Sequence, residues 1–70
     1  MFNYSKLRGR IKEKCSTQNE FACKLGISSV LLSGKLNNQS QWSQREIVSA
    51  CSILDIDASD IPSYFFCEIS

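Results

Sequence analysis

Apolar side chains recur along this chain at spacings of three and four, between short polar stretches, and the pattern predicts a small helical bundle. Tyr4, Leu7, Ile11 and Cys15 mark a narrow apolar stripe on a first helix from about Tyr4 to Lys14. Thr17 is placed to cap a second helix, with Glu20 three residues on to complete a capping box. Phe21, Ala22 and Leu25 form its inner side, and Gly26 ends it in the left-handed conformation. A third helix follows at once. Ser28 caps it, Leu32 and Leu36 face inward, and Ile27 plugs the turn between the two helices.

The polar run Asn37-Asn38-Gln39-Ser40-Gln41 reads as a loop. The fourth helix has the strongest start signal of all. Ser43 and Glu46 fit a capping box, and Trp42 and Ile47 fit the apolar staple around it. Ile47, Ala50, Cys51 and Leu54 continue its buried side. The same device recurs in "IDASDI", where Asp57 and Asp60 stand as cap and partner and Ile56 and Ile61 as staple. Pro62 is expected to limit this last helix to about one turn. The aromatic tail "SYFFCEIS" either folds back on the core or extends as a short strand. The expectation is one all-α domain over 1–70, of about five short helices, with the C-terminal tail either extended or folded back.

Composition adds several exclusions. Seventy residues make one small core. No apolar run approaches the ~18 residues that cross a bilayer, and the charged N-terminus lacks a signal-peptide core. A cytoplasmic protein is expected. There is no histidine, no glycine-rich phosphate loop and no possible Ser-His or Cys-His pair, so catalysis is not expected. The four cysteines form no C-x-x-C pair, which argues against zinc. Cys23 and Cys51 fall on apolar helix faces and are expected as free thiols in the core. No cofactor, metal or small-molecule ligand is expected.

Charge is uneven. All eight Lys and Arg lie between Lys6 and Arg45, with only Glu13 and Glu20 among them, a surplus of about +6. The remainder carries five acids and no base. Such a split suggests an anionic partner for the N-terminal part, although the bases of the first helix surround its apolar stripe rather than forming one patch.

The segment from about 17 to 36 has the layout of a helix-turn-helix. Ala22 is the small residue where the helices cross, Gly26 permits a positive φ in the turn, and Ile27, Leu32 and Leu36 set the second helix outward. Gln18 and Asn19 stand at one helix start and Gln44 and Arg45 at another, where amides and N–H groups can hold a phosphate. Asn37, Asn38, Gln39 and Ser40 follow the third helix; Asn37 and Asn38 are placed for a phosphate, as is Lys35, the only charge on that helix.

Taken together, "YSKLRGRIKEK", "TQNEFACKLGIS", "GKLN", "EIVSACSILDI" and "IPSYFF" resemble the small Cro-like regulators of temperate bacteriophages and prophages, in the lambda-repressor-like helix-turn-helix superfamily. The resemblance implies a transcriptional regulator or repressor that binds double-stranded operator DNA, usually as a homodimer. It matches Gln18 to a helix-start glutamine used on a phosphate, and Ser28, Ser29, Val30, Ser33 and Gly34 to groove-facing positions. Relatives often carry Gln, Arg, Lys or Asn where this chain has Ser29, Val30 and Gly34, so strong bidentate base readout is not expected here. Val30 could meet a thymine methyl, with shape and half-site spacing supplying the rest.

The C-terminal segment, 57–70, offers Tyr64, Phe65, Phe66 and Ile69 as a dimer surface or as closure of the monomer core. A second class of function stands beside DNA binding: a helical protein-interaction module, such as an antirepressor or antitoxin-like partner. The sparse third helix favours it. The converging amides and bases favour DNA.

Overall fold

The computed structural model describes residues 1–69; Ser70, the end of the expected C-terminal segment, lies outside the described residues. Among the described residues five α-helices follow one another: α1 (Ser5–Cys15), α2 (Gln18–Leu25), α3 (Ser29–Leu36), α4 (Gln44–Leu54) and α5 (Ile61–Phe65), with one 3-10 turn at Ala58–Asp60. The fold is all-α. The nearest thing to a strand among the described residues is one antiparallel bridge between Phe2 and Glu68.

The core forms where the helical spacing places it. Tyr4, Leu7, Ile11 and Cys15 of the first stripe are all buried, as are Phe21, Ala22, Leu32, Leu36, Ala50 and Leu54. Ile27, Trp42 and Ile47 are half-buried against that cluster. α1, α2 and α4 pack on one another, while α3 leans mainly on α2.

Caps explain most of the boundaries. The Thr17 hydroxyl accepts from the Glu20 N–H at 3.2 Å. The expected return bond from Glu20 is not made; the Thr17 N–H instead donates to the Cys15 carbonyl at 2.7 Å. Gly26 closes α2 at φ 82°. At α4 the capping box is complete, with Ser43 and Glu46 bonded in both directions. Asp57, by contrast, makes no side-chain cap, and Pro62 does not stop the last helix. It sits in the first turn of α5, where its missing N–H costs nothing.

Two arginines of α1 finish the ends of other helices. Arg8 donates to the Leu36 carbonyl at 3.1 Å and the Asn37 side-chain oxygen at 2.9 Å. Arg10 donates to the carbonyls of Leu54 and Asp55, both at 2.9 Å. The backbone carbonyls of Leu36, Leu54 and Asp55 lie at the ends of α3 and α4 and have no partner within their own helices.

The aromatic tail closes the monomer core. Phe65 is 1% exposed and meets Trp42 edge-on, with ring centres 5.1 Å apart. Its expected place on a dimer surface is therefore corrected. Tyr64 is half-buried under the Lys6 ammonium, 4.8 Å from the ring centre. Phe66 and Ile69 remain exposed. Cys15 is buried and Cys51 half-buried, but Cys23 lies on the outer side of α2 and is exposed, contrary to the core position its spacing suggested.

Candidate functional site

The α2–turn–α3 unit presents the surface of interest. Ser28 ends the turn in an extended conformation, and its hydroxyl accepts from the Leu31 N–H at 3.1 Å. From there α3 sends Leu32, Lys35 and Leu36 inward. Ser29, Val30 and Ser33 face solvent, and Val30 is 80% and Leu31 52% exposed. Gly34 is half-covered. A Cβ there would meet the Ser40 hydroxyl at 3.5 Å and the Gln39 amide at 3.8 Å. The following loop, rather than open space, lies over it.

Lys35 is not a surface cation. It is 7% exposed, and its ammonium lies 2.9 Å from the Glu46 carboxylate and 2.9 Å from the Gln41 carbonyl. The Trp42 ring centre is 5.9 Å away. The expected phosphate role is corrected by these partners: the charge is neutralised inside the fold. Burial by itself would raise the Glu46 carboxyl, but the Ser43 N–H, the Lys35 ammonium and the Ser43 hydroxyl outweigh it and hold the carboxyl below its usual range.

Asn37 and Asn38 were also expected at a phosphate, and both are engaged elsewhere. Asn37 accepts from Arg8 and reaches the Ser33 hydroxyl at 3.4 Å. Asn38 sits at φ 63° and turns its amide onto the backbone of Phe2. It accepts from the Phe2 N–H at 2.8 Å and donates to the Phe2 carbonyl at 2.9 Å. The side chain thus serves the N-terminal segment as a neighbouring strand would.

What remains outward is sparse. Gln18 and Asn19 are exposed at the start of α2, and Gln44 and Arg45 at the start of α4. Among the described residues Arg45 makes no ion pair. Val48, one turn further along α4, is 62% exposed. With Lys35 turned in, the outer side of α3 carries no charge; it offers hydroxyls, Val30 and Leu31. Three of the eight bases, Arg8, Arg10 and Lys35, are committed to internal partners.

Sequence reasoning overlooked the inward turn of Lys35, although a signal was present: Leu32, Lys35 and Leu36 share the i, i+3, i+4 spacing of one helix face. It also overlooked Leu31 and Val48 as exposed apolar groups.

Among the described residues no helix is long and apolar enough to cross a membrane, and no group of three or more metal-ligating side chains is placed to hold an ion.

Known proteins fix the kinship. No curated protein sequence matches the chain. A solved structure does: the solution structure of the modulator of repression (MOR) of the temperate bacteriophage TP901-1 from Lactococcus lactis. It is 45% identical, with a TM-score of 0.82 over 93% of this chain and 88% of that one. This points to a small phage regulatory protein. The match to the family described as a protein of unknown function (DUF739) runs over residues 1–68, so the chain belongs to that family.

Proposed function

We propose that this protein regulates phage repression by contact with another protein, docking through the outward side of α3 in the manner of an antirepressor. One observation carries the reading: that side is free of charge and leaves Val30 80% and Leu31 52% in water. Exposed apolar side chains of this size, rimmed by serines, match the centre and rim of a protein interface. Part of the basic and amide set that would have favoured DNA is spent inside the fold. Arg8 and Arg10 hold helix ends, Lys35 holds Glu46, and Asn38 holds Phe2. A relative that modulates repression fits a partner in the repression machinery, and the phage's own repressor is the partner to test.

The Cro-like reading, with α3 in an operator major groove, keeps one specific support. Gln18, Asn19, Gln44 and Arg45 are exposed at two helix starts, and α3 follows directly from the turn at Gly26. Phosphates can be held there while Ser29, Val30 and Ser33 meet base edges. Self-association on DNA would use Phe66 and Ile69 beside Met1, all more than half exposed. Sedimentation of the wild type beside a Phe66→Ser, Ile69→Ser double variant, which leaves Phe65 in the core, tests that surface.

Calorimetric titration of the purified protein with the phage repressor, beside a gel shift on the phage intergenic duplex at low salt, separates the two. Binding to the repressor that is lost in Val30→Asp, with no duplex shifted, supports protein docking. A duplex shift whose salt slope falls by about one unit in Arg45→Ala, with no repressor binding, overturns it in favour of DNA.

A further inference from the structure

The internal pair Lys35–Glu46 has a geometry that core closure alone does not demand. α3 leans mainly on α2, and its last turn meets the first turn of α4 through this pair. The Lys35 ammonium has three N–H directions in which to donate. Two are filled at 2.9 Å, by Glu46 and by the Gln41 carbonyl, and the Trp42 ring lies beyond. The Glu46 carboxylate is shared. It accepts from the Ser43 N–H at 2.8 Å and so belongs to the cap of α4 at the same time. Lys35, the 37–43 loop and the start of α4 are therefore one hydrogen-bonded knot.

A lysine is a costly way to fill such a place. Taking the Lys35 ammonium, and part of the Glu46 carboxylate, out of water offsets much of their attraction, and apolar replacements of buried pairs are often neutral or stabilising. What a directional pair adds is one fixed arrangement. An apolar side chain would let α3 slide or roll against α4; an ammonium held by two oxygens does not. The residues fixed in this way are those exposed on either side: Ser29, Val30 and Ser33 on α3, and Gln44 and Arg45 on α4.

We propose that Lys35 is a positioning residue, which locks the last turn of α3 to the capping box of α4 so that their exposed residues form a single rigid docking surface. The inference rests on the reading above, in which α3 is the side that docks on the phage repressor. It assigns to Lys35 and Glu46 an effect on orientation rather than on affinity by contact.

Two variants of the full chain test it: Lys35→Met, which keeps length and removes charge, and Glu46→Gln, which keeps an acceptor for the Ser43 N–H. Backbone residual dipolar couplings are recorded on each without any partner. In the wild type, one alignment tensor fits α1, α2, α3 and α4. In both variants the tensor that fits α1, α2 and α4 is expected to fail for α3, while the thermal midpoint of Lys35→Met stays close to that of the wild type. Couplings of α3 that still fit the common tensor in either variant would overturn the proposal. Should Lys35→Met fail to fold, the Glu46→Gln couplings alone decide. No partner is present in this experiment, so its outcome is separate from the titration that tests docking itself.

Discussion

Replacing Arg10 by alanine separates a structural use of the N-terminal charge from an electrostatic one. In the structure the Arg10 guanidinium donates from two nitrogens to two carbonyls, Leu54 and Asp55, each at 2.9 Å. Both belong to the end of α4, which closes on a non-glycine residue, Asp55, at φ 57°. A hydrogen bond involving a charged group contributes about 1.5–3 kcal/mol when buried. The Arg10 side chain is 23% exposed, so two such bonds together are worth nearer the range of one. A cation at a helix C-terminus adds about 0.3–1 kcal/mol. The ion pair to Glu13 at 3.8 Å adds little, because Glu13 is 66% exposed. The expected loss is about 2–3 kcal/mol. For a chain of this size that lowers the thermal midpoint by roughly 10–20 °C. Urea unfolding followed by circular dichroism reads it directly. Arg10→Lys should recover less than half, since an ammonium does not span two carbonyls with a planar fork. A loss below about 0.5 kcal/mol, the level of an ordinary surface change, would refute the reasoning and return Arg10 to the pool of charges available to a partner.

Three further outcomes are expected. Gly34→Ala should stabilise the protein by up to about 1 kcal/mol in urea unfolding, because helix propensity improves and the new methyl meets nothing closer than 3.5 Å; a destabilised variant would show that the 39–40 loop is packed more tightly than its distances indicate. The carboxyl of Glu46 is held below its unfolded value of 4.5, so its contribution is complete above that pH and is lost as the pH falls through the lower folded value. Glu46→Gln should therefore flatten the acid limb of the stability curve below about pH 4.5, and an unchanged limb would contradict the pairing. With a thiol reagent at mild alkaline pH, Cys23 and Cys67 should react first, Cys51 slowly because burial pushes its thiol up, and Cys15 only on unfolding; fast labelling of Cys15 would place it outside the core.

The helices and their ends were legible because they rest on local chemistry. Thr17, Ser28 and Ser43 each accept a bond from an N–H three residues on, and that is decided within one turn of chain. The stripe Tyr4, Leu7, Ile11 and Cys15 needed only the helical period. What was not legible depends on distant partners. Arg8 and Arg10 look like surface charges until α3 and α4 bring their carbonyl ends within reach. Asn38 looks like a loop residue until the Phe2 backbone arrives beside it, 36 positions away in sequence. Among the tail aromatics, composition could not say which would turn inward; Trp42 decides it by receiving Phe65, which leaves Phe66 outside. The outward side of α3 was readable residue by residue, but its neutrality became clear only once Lys35 was seen to face the other way.

The claim that the outward side of α3 is the docking surface is tested most directly by titrating isotope-labelled protein with the phage repressor and following its amide resonances. The account predicts shifts concentrated at Ser29, Val30, Leu31 and Ser33, with smaller ones at Gln44, Arg45 and Val48. Saturating shifts confined to Phe66, Ile69 and the N-terminal residues, with α3 undisturbed, would contradict it.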